Sequence, residues 1–583
     1  MSLTHFEVRK LMQNFKDKLL IMKFQYIFYF FFGFNFVLSA QSYDELFEDK
    51  YGIEVLINKN EVSDLSFLEN KNITLDHGCS HNTIALYVNK DGLNHLVENK
   101  IPFKVKTIAP AVIQMKNYSE ISALKKGGNC LPAFDYYPTY EAYEELMYSF
   151  EAQYPEICKI INIGTLTSGR KLLVAQIGDN LDIQENEPNF LYSASMHGDE
   201  LAGYPTMIKL IDHLLCNYGS DDKLTDLVDN INIFINPLAN PNGAYTNDNS
   251  TVNGARRENA SFVDLNRNYP DPIRGDNPDG RSYQEETQAF VKFSQDYNIN
   301  LSCNLHGGAE LVNYPWDTIE KTHADNDWWV NVSRNYADTV QHNSPNGYFE
   351  QQNNGIVLGF NWFKIHGGRQ DHMTYFRRGR EFTLELSNVK LLNSDELPNI
   401  WNYHRNALIN YLNESLYGLR GTITDCETGL PISAEIIIEG HDEDNSSVFS
   451  NEEDGRYFRY LNKGQYVVSF IAEGYDKKSE TYDIIDKSSI LGNIELCSED
   501  ISMTIEDMES SFDIVQQGNK IKVIAENTEQ DYHIYIYTNT GQLVMSSQLI
   551  DMSIDINDNF PLGIYHIKVI SKNVSTSKTL LIK

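Results

Sequence analysis

From Tyr136 to about residue 416 the chain alternates short apolar runs with longer segments whose apolar residues recur at helical spacing. No other feature constrains the fold as much. The strand-like runs INIGTL, LLVAQIG, NFLYSAS, INIFINPLA, INLSCNLH and EFTLELS are interleaved with the helix-period segments YEAYEELMYSFEAQYP, YPTMIKLIDHLLCN, QEETQAFVKFSQDY and ELPNIWNYHRNALINYL. Runs that stay apolar throughout suit strands covered on both faces, and helices between them suit crossovers. The expectation is an α/β domain with a largely parallel or mixed sheet flanked by helices. Ligands of such sheets bind outside the carboxyl ends of the strands, so chemistry is sought there.

Two strand ends carry metal-ligating side chains. His197 and Glu200, in SASMHGDELAG, lie where NFLYSAS hands over to a helix, with Gly198 between them to let the backbone turn. His306 ends INLSCNL and is followed by Gly307-Gly308. Two imidazoles and one carboxylate, with a fourth position left for water, make up the ligand set of a hydrolytic zinc site. The spacing alone is weak, because His95-Leu-Val-Glu98 repeats it inside a helical segment with no strand end nearby and reads as a solvated helix face. Hydrolysis also requires a base, and Glu385 closes EFTLELS at the same edge. Leu384 and Leu386 point to the opposite face of that strand, into apolar packing, which sets Glu385 apart from an exposed strand glutamate. Between these ends, RRENASFVDLNRNYPD holds Arg256, Arg257, Asn266 and Arg267 among turn formers, where guanidinium groups suit a carboxylate or a developing oxyanion.

The flanks bound the setting. At 583 residues several folding units are expected. A net charge of -33, from 81 acidic and 48 basic residues, argues against a nucleic-acid partner, since phosphate binding requires a cationic footprint. After Met22-Lys23 the run FQYIFYFFFGFNFVLSA ends in Ser39 and Ala40 and reads as a signal peptide over 1–40, with Met22 as an alternative start. No later run is long and apolar enough to cross a bilayer, so the mature chain is expected outside the cell, secreted or surface-held, with no transmembrane segment. The seven cysteines contain no CxxC pair; Cys426 and Cys497 flank one β-unit and are candidates to pair, but connectivity is not readable from sequence. Residues 41–115 alternate GIEVLI, TIALYV and FKVKTI with one helical segment, as a small α/β unit does, and 116–134 reads as a polar linker. From Gly418 short strands with turn punctuation predict an all-β sandwich over 417–498, and 505–583 repeats the β pattern.

Four motifs, HGDE, ENASFVDLNRNYPD, NLHGGAELVNYPWD and GGRQDHMTYFRRGREFTLELS, run in order through residues 135–416. In them the chain resembles the zinc carboxypeptidases of the carboxypeptidase A and B superfamily, nearest the carboxypeptidase N, E, M and D branch. The resemblance implies that family's mixed eight-stranded sheet flanked by helices, and one zinc held by His197, Glu200 and His306. It implies that Glu385 takes a proton from a zinc-activated water and passes it to the departing amine. It selects Arg257 over Arg256 to polarise the scissile carbonyl, and assigns Asn266 and Arg267 to the terminal carboxylate of the substrate. Asp317, eleven residues after His306, matches the acidic residue this branch uses against a terminal Lys or Arg, and Gln370 lines the same pocket. One position departs from the pattern. The family carries a tyrosine 22 residues before the catalytic glutamate, and here that position is Phe363, which keeps the ring and loses a hydroxyl worth about 0.5 to 1.5 kcal/mol in one hydrogen bond.

Residues 417–498, with GTITDCETGLPI, DGRYFRYL and GQYVVSFIAEGY, resemble the transthyretin-like domain that follows the peptidase in this branch. Residues 505–583, with TNTGQLV, LGIYHIKV and KTLLIK, resemble a type IX secretion sorting domain, which implies the secretion machinery as a partner and passage across the outer membrane. The unit at 41–115 is left as an inhibitory or chaperoning pro-segment or a permanent accessory domain. The combined expectation is a secreted, monomeric metallocarboxypeptidase releasing Lys or Arg from peptide and protein C-termini. The alternatives are a surface peptide-binding or adhesion protein that no longer turns over, and a peptidase of cell-wall peptides.

Overall fold

A computed structural model describes residues 46–47, 52–62, 67, 70, 72–80, 83–106, 111–125, 130–183, 185–498 and, toward the C-terminus, 512–517, 520–525, 533–538, 543–548, 553–555, 563–570 and 575–582. The expected signal peptide lies outside the described residues. The chain divides into two compact units, 1–497 and 498–583.

The first unit opens with a four-stranded antiparallel sheet of β1 (Gly52–Asn58), β2 (Ile73–Ser80), β3 (Thr83–Asn89) and β4 (Lys104–Val105), with helix α1 (Lys90–Glu98) following β3. Val55, Ile57, Leu86, Val88, Leu93 and Leu96 form its core. β2 is absent from the sequence expectation because His77 breaks the apolar alternation begun by Ile73 and Leu75, leaving too short a run to read as a strand. His95 lies partly exposed and Glu98 exposed on α1, so this HxxE is a solvated helix face.

The segment 116–134, expected as a linker, is instead built into the main body. Met115–Lys116 pairs with Tyr137–Pro138, a short helix spans Tyr118–Ser122, Ile121, Leu131 and Phe134 enter the main core, and Cys130 is disulfide-bonded to Cys216. Its polar surface concealed three apolar anchors and a cross-link, none of which shows a period over so short a stretch.

The centre of this unit is a mixed eight-stranded sheet of β5 (Cys158–Thr165), β6 (Lys171–Ile177), β7 (Asn189–Ala194), β8 (Asn232–Asn236), β9 (Leu301–His306), β10 (Ala309–Tyr314), β11 (Ile356–Leu358) and β12 (Arg380–Ser387), in the order β11-β10-β12-β9-β7-β8-β6-β5. The middle strands β12, β9, β7 and β8 run parallel, so their carboxyl ends share one edge. Helices α2 (Tyr140–Gln153), α3 (Gly203–Asn217), α4 (Glu285–Asp296), α5 (Asn326–His342), α6 (Arg369–Tyr375) and α7 (Leu397–Glu414) accompany it. Strand periodicity divides the apolar residues between two faces. On β7, Phe190, Tyr192 and Ala194 face the larger core with α2, α3, α5 and α7, whereas Leu191 joins Phe234, Phe293 and Met373 on the other face.

The remainder of the unit carries two four-stranded sheets. One is β16 (Arg456–Arg459), β13 (Gly418–Asp425) and β19 (Ser489–Leu491), with β20 (Ile494–Leu496) also pairing β13; the other is β15 (Val448–Phe449), β14 (Glu435–Ile438), β17 (Gly464–Ile471) and β18 (Lys478–Ile484). Leu419, Ile423, Ile436, Val468 and Phe470 belong to a shared core, and Cys426 pairs with Cys497. A buried charge cluster joins this part to the body of the eight-stranded sheet. Asp325 accepts from Arg380 Nη2 at 2.7 Å, from Arg459 Nη1 at 2.7 Å and Nη2 at 2.8 Å, and lies 2.8 Å from His441 Nε2.

The second unit is described by its strands alone: a three-stranded sheet, Phe512–Gln517, Lys520–Ala525 and Ser553–Asp555, and a four-stranded sheet, Leu543–Gln548, His533–Thr538, Gly563–Ile570 and Ser575–Ile582. Ile534, Ile536, Ile567 and Val569 bury alternate positions of the latter.

Candidate metal centre and substrate cleft

β7 ends at Ala194 and α3 begins at Gly203, and the turn between them is tightly packed. Ser195 takes a left-handed φ of 59°, and a Cβ on Gly198 would lie 2.2 Å from the carbonyl carbon of Gly243, so only glycine fits at position 198. β9, the neighbour of β7, delivers His306 at its last position.

The three side chains meet in a wholly buried spot. His197 Nδ1 lies 3.0 Å from Glu200 Oε2 and 3.0 Å from His306 Nδ1, and His306 Nδ1 lies 2.8 Å from the same Oε2. One ring nitrogen from each histidine and one carboxylate oxygen thus point at a single spot where a cation can take all three. Two imidazoles and a carboxylate fit zinc. The outer nitrogens are held as such a site requires. Asp264 Oδ1, 2.9 Å from His197 Nε2, accepts its proton and leaves Nδ1 bare. The Asn304 amide lies 2.7 Å from His306 Nε2 while its carbonyl oxygen has no other hydrogen bond; turned to the ring, that oxygen accepts the Nε2 proton.

Electrostatics follow from this packing. Burial pushes His306 down to about 4, keeping it neutral near pH 7. Burial and Arg257 also press His197 downward, but Glu200 and Asp264 outweigh them and raise it. Burial works against the Glu200 anion, yet His197 and His306 hold its carboxyl well below the usual range.

The candidate oxyanion group is set by the same carboxylates. Arg257 is fully buried, donating from Nε to Asp264 Oδ2 at 3.0 Å and from Nη1 to Glu200 Oε1 at 3.2 Å. Arg256 turns elsewhere, over the Phe262 ring at 4.2 Å and onto the Asn259 carbonyl at 2.9 Å. Glu385 stands opposite His306 in the β9–β12 register and is 0% exposed.

The candidate substrate-binding residues gather beside this centre. A Cβ on Gly368 would lie 3.6 Å from Asp317 Oδ2 and 3.7 Å from Asn266 Oδ1, so the two side chains converge across that glycine. Asp317 Oδ1 accepts from Asn313 at 2.9 Å and from Gln370 Nε2 at 3.2 Å. Burial raises the Asp317 carboxyl to about 6, with Asn313 and Arg267 acting against that rise. Arg267 donates to the Asn266 carbonyl at 2.8 Å and, with Phe363, lines a cavity of about 590 Å³.

Asp264, Asn304 and Asp371 were not singled out by sequence. Asp371 receives the backbone N–H groups of Asp317 and Thr318, at 3.0 and 2.8 Å, and so fixes the loop that presents Asp317. Asp264 stands two residues before Asn266, in the motif already quoted, and Asn304 stands two before His306 on the same strand face; spacing from the ligands was the available signal.

Comparison with known proteins agrees with this geometry. The zinc carboxypeptidase family model matches residues 143–407. Carboxypeptidase M of Mus musculus is 31% identical over 364 residues, covering 60% of this chain and 81% of that protein, and the carboxypeptidase N catalytic chain of Mus musculus is 31% identical over 383 residues, covering 59% and 82%. Carboxypeptidase D of Homo sapiens is 32% identical over 366 residues, where this chain spans 26% of its length. With the candidate metal ligands, their buried partners and the matched span in agreement, the chain belongs to the zinc carboxypeptidase family.

Proposed function

We propose that the protein is a zinc metallocarboxypeptidase that removes one C-terminal residue, Lys or Arg, from peptides and proteins outside the cell. The observation that carries this reading is the convergence of Asp317 and Asn266 across Gly368, beside the His197, Glu200 and His306 cluster. An anion for a basic side chain and an amide for a terminal carboxylate at one place describe the last residue of a peptide.

Zinc, when bound, supplies Lewis acidity toward water and the scissile carbonyl. The chain's own groups do the rest. Glu385, buried beside His306, accepts a proton from the attacking water and returns it to the amine as the C–N bond breaks. Arg257, fixed by Asp264 and Glu200, places a cation where the carbonyl oxygen gathers negative charge. Arg267 and Asn266 orient the terminal carboxylate. Family membership, the relatives' names and the acidic pocket support this assignment. Export is supported by the Cys130–Cys216 and Cys426–Cys497 disulfides, which persist in oxidising compartments, together with the signal-like and sorting-domain-like sequences.

Purified protein assayed on peptides ending in Arg, Leu or Glu, with and without a chelator, tests the proposal. Release of Arg that stops on chelation and returns with zinc is expected. Chelator-insensitive release would remove the metal role, and no release from any peptide would favour a binding protein.

A further inference from the structure

Three successive residues in the first turn of α6 each hold a different part of the candidate substrate pocket. The Arg369 backbone N–H donates to Asn266 Oδ1 at 3.0 Å, Gln370 Nε2 donates to Asp317 Oδ1 at 3.2 Å, and Asp371 receives the backbone N–H groups of Asp317 and Thr318. The turn leading into the helix is bonded to the segment that carries Asn266. The Gly367 carbonyl accepts from Tyr269 N–H at 3.0 Å, and a Cβ on Gly367 would lie 2.2 Å from the Arg267 carbonyl oxygen. Whatever fixes this turn therefore fixes the pocket.

Arg369 fixes it to the centre of the sheet. Its side chain, 1% exposed, runs to β12 and makes a two-pronged pair with Glu381, Nε to Oε1 at 3.0 Å and Nη2 to Oε2 at 2.9 Å. Such a fork sets direction as well as distance. Glu381 is 0% exposed and takes a further hydrogen bond, from Ser302 Oγ on β9 at 2.7 Å. It lies four residues before Glu385 on the same face of β12. The ion pair thus links the strand that carries the candidate base to the helix that arranges the candidate pocket.

The contact with Asn266 sets a polarity. A backbone N–H can only donate, so the Asn266 atom it meets is Oδ1, which leaves Nδ2 as the side that can donate to a carboxylate. Turned over, Asn266 would present an oxygen and repel the anion.

Resting on the carboxypeptidase reading, we infer that Arg369 and Glu381 are positioning residues, whose buried ion pair holds the first turn of α6 so that Asn266 offers its amide donors to the terminal carboxylate of the substrate. Neither side chain lines the cavity beside Arg267 and Phe363. The pair acts through the Arg369 N–H, so the affinity it adds is for the free carboxylate and not for the rest of the peptide.

The test uses the zinc-loaded full chain and a short acylated dipeptide ending in Arg, prepared as the free acid and as the C-terminal amide, each made inert by a reduced scissile bond and labelled for anisotropy. Arg369→Met combined with Glu381→Gln removes both charges together, leaves no buried ion unpaired and keeps an acceptor for Ser302, with thermal melts to confirm folding. Arg369→Lys, which keeps the charge and loses the fork, is the second variant. The full chain is expected to bind the acid at least about tenfold more tightly than the amide, and the double variant to lose about tenfold in affinity for the acid with little change for the amide. Arg369→Lys should fall between them. A pair that only stabilises the fold would leave both affinities unchanged in a folded variant, or lower both alike, and either result would overturn the inference. So would a full chain that binds acid and amide equally. If the double variant does not fold, the acid-to-amide ratio in Arg369→Lys decides. Turnover of the cleavable free acid is followed separately: if no form hydrolyses it, the carboxypeptidase reading fails, and the positioning role still stands or falls on the acid-to-amide ratio.

Discussion

His306 and Glu385 sit opposite one another on the adjacent parallel strands β9 and β12, which brings a candidate metal ligand and the candidate base to one level of one sheet edge. Neither residue depends on a loop for its position. Replacing Glu385 by Gln keeps the shape of the strand and removes the proton acceptor. A fall in kcat of about 10²- to 10⁴-fold is expected, with zinc content by elemental analysis unchanged.

Asp264 holds His197 through Nε2 and Arg257 through Nε. Asp264→Asn should therefore weaken zinc binding by about 10- to 100-fold, read by competition with a chromophoric chelator. If affinity is unchanged and only kcat drops, Asp264 serves Arg257 and not the ligand set.

The candidate specificity pocket carries a pH signature. The Asp317 carboxyl is raised to about 6, so it is charged above that value and neutral below it. KM for a peptide ending in Arg should rise as pH falls from 7 toward 5, while KM for one ending in Leu changes little. Asp317→Asn should abolish the difference between the two profiles.

Phe363 places a ring against Trp362, with centroids 4.7 Å apart, at the mouth of the cleft. Phe363→Tyr should lower KM, by an amount corresponding to about 0.5 to 1.5 kcal/mol, with kcat nearly unchanged. An unchanged KM would show that the position does not meet substrate.

Asp325 ties β12 to the C-terminal part of its unit through Arg380, Arg459 and His441. Removing the charge with Asp325→Asn leaves buried guanidinium groups without their anion and should cost about 3 to 5 kcal/mol in denaturant unfolding. Burial opposes the Asp325 anion, but Arg459 and Arg380 hold its pKa well below the ordinary 3.8. Its contribution is thus fully present above about pH 4 and lost as pH falls through the depressed native value. The wild type should lose stability in that acid range, and the variant should lose less there.

The sequence alone determined the alternation that builds the sheet, the candidate ligands His197, Glu200 and His306, and the strand carrying Glu385, because strand period and strand-end placement are local properties. It also located Asp317 and Asn266, through ordered motifs. Tertiary structure decided what those residues touch. That Asp264 serves both His197 and Arg257, that Arg256 turns away to Phe262, and that residues 116–134 belong to the core all depend on contacts between distant segments. The same holds for the N-terminal sheet, whose pattern shows a small α/β unit while only folding brings Glu54 to within 3.2 Å of Lys390. Period reports which face of an element is buried, and carries no information about which distant surface will bury it.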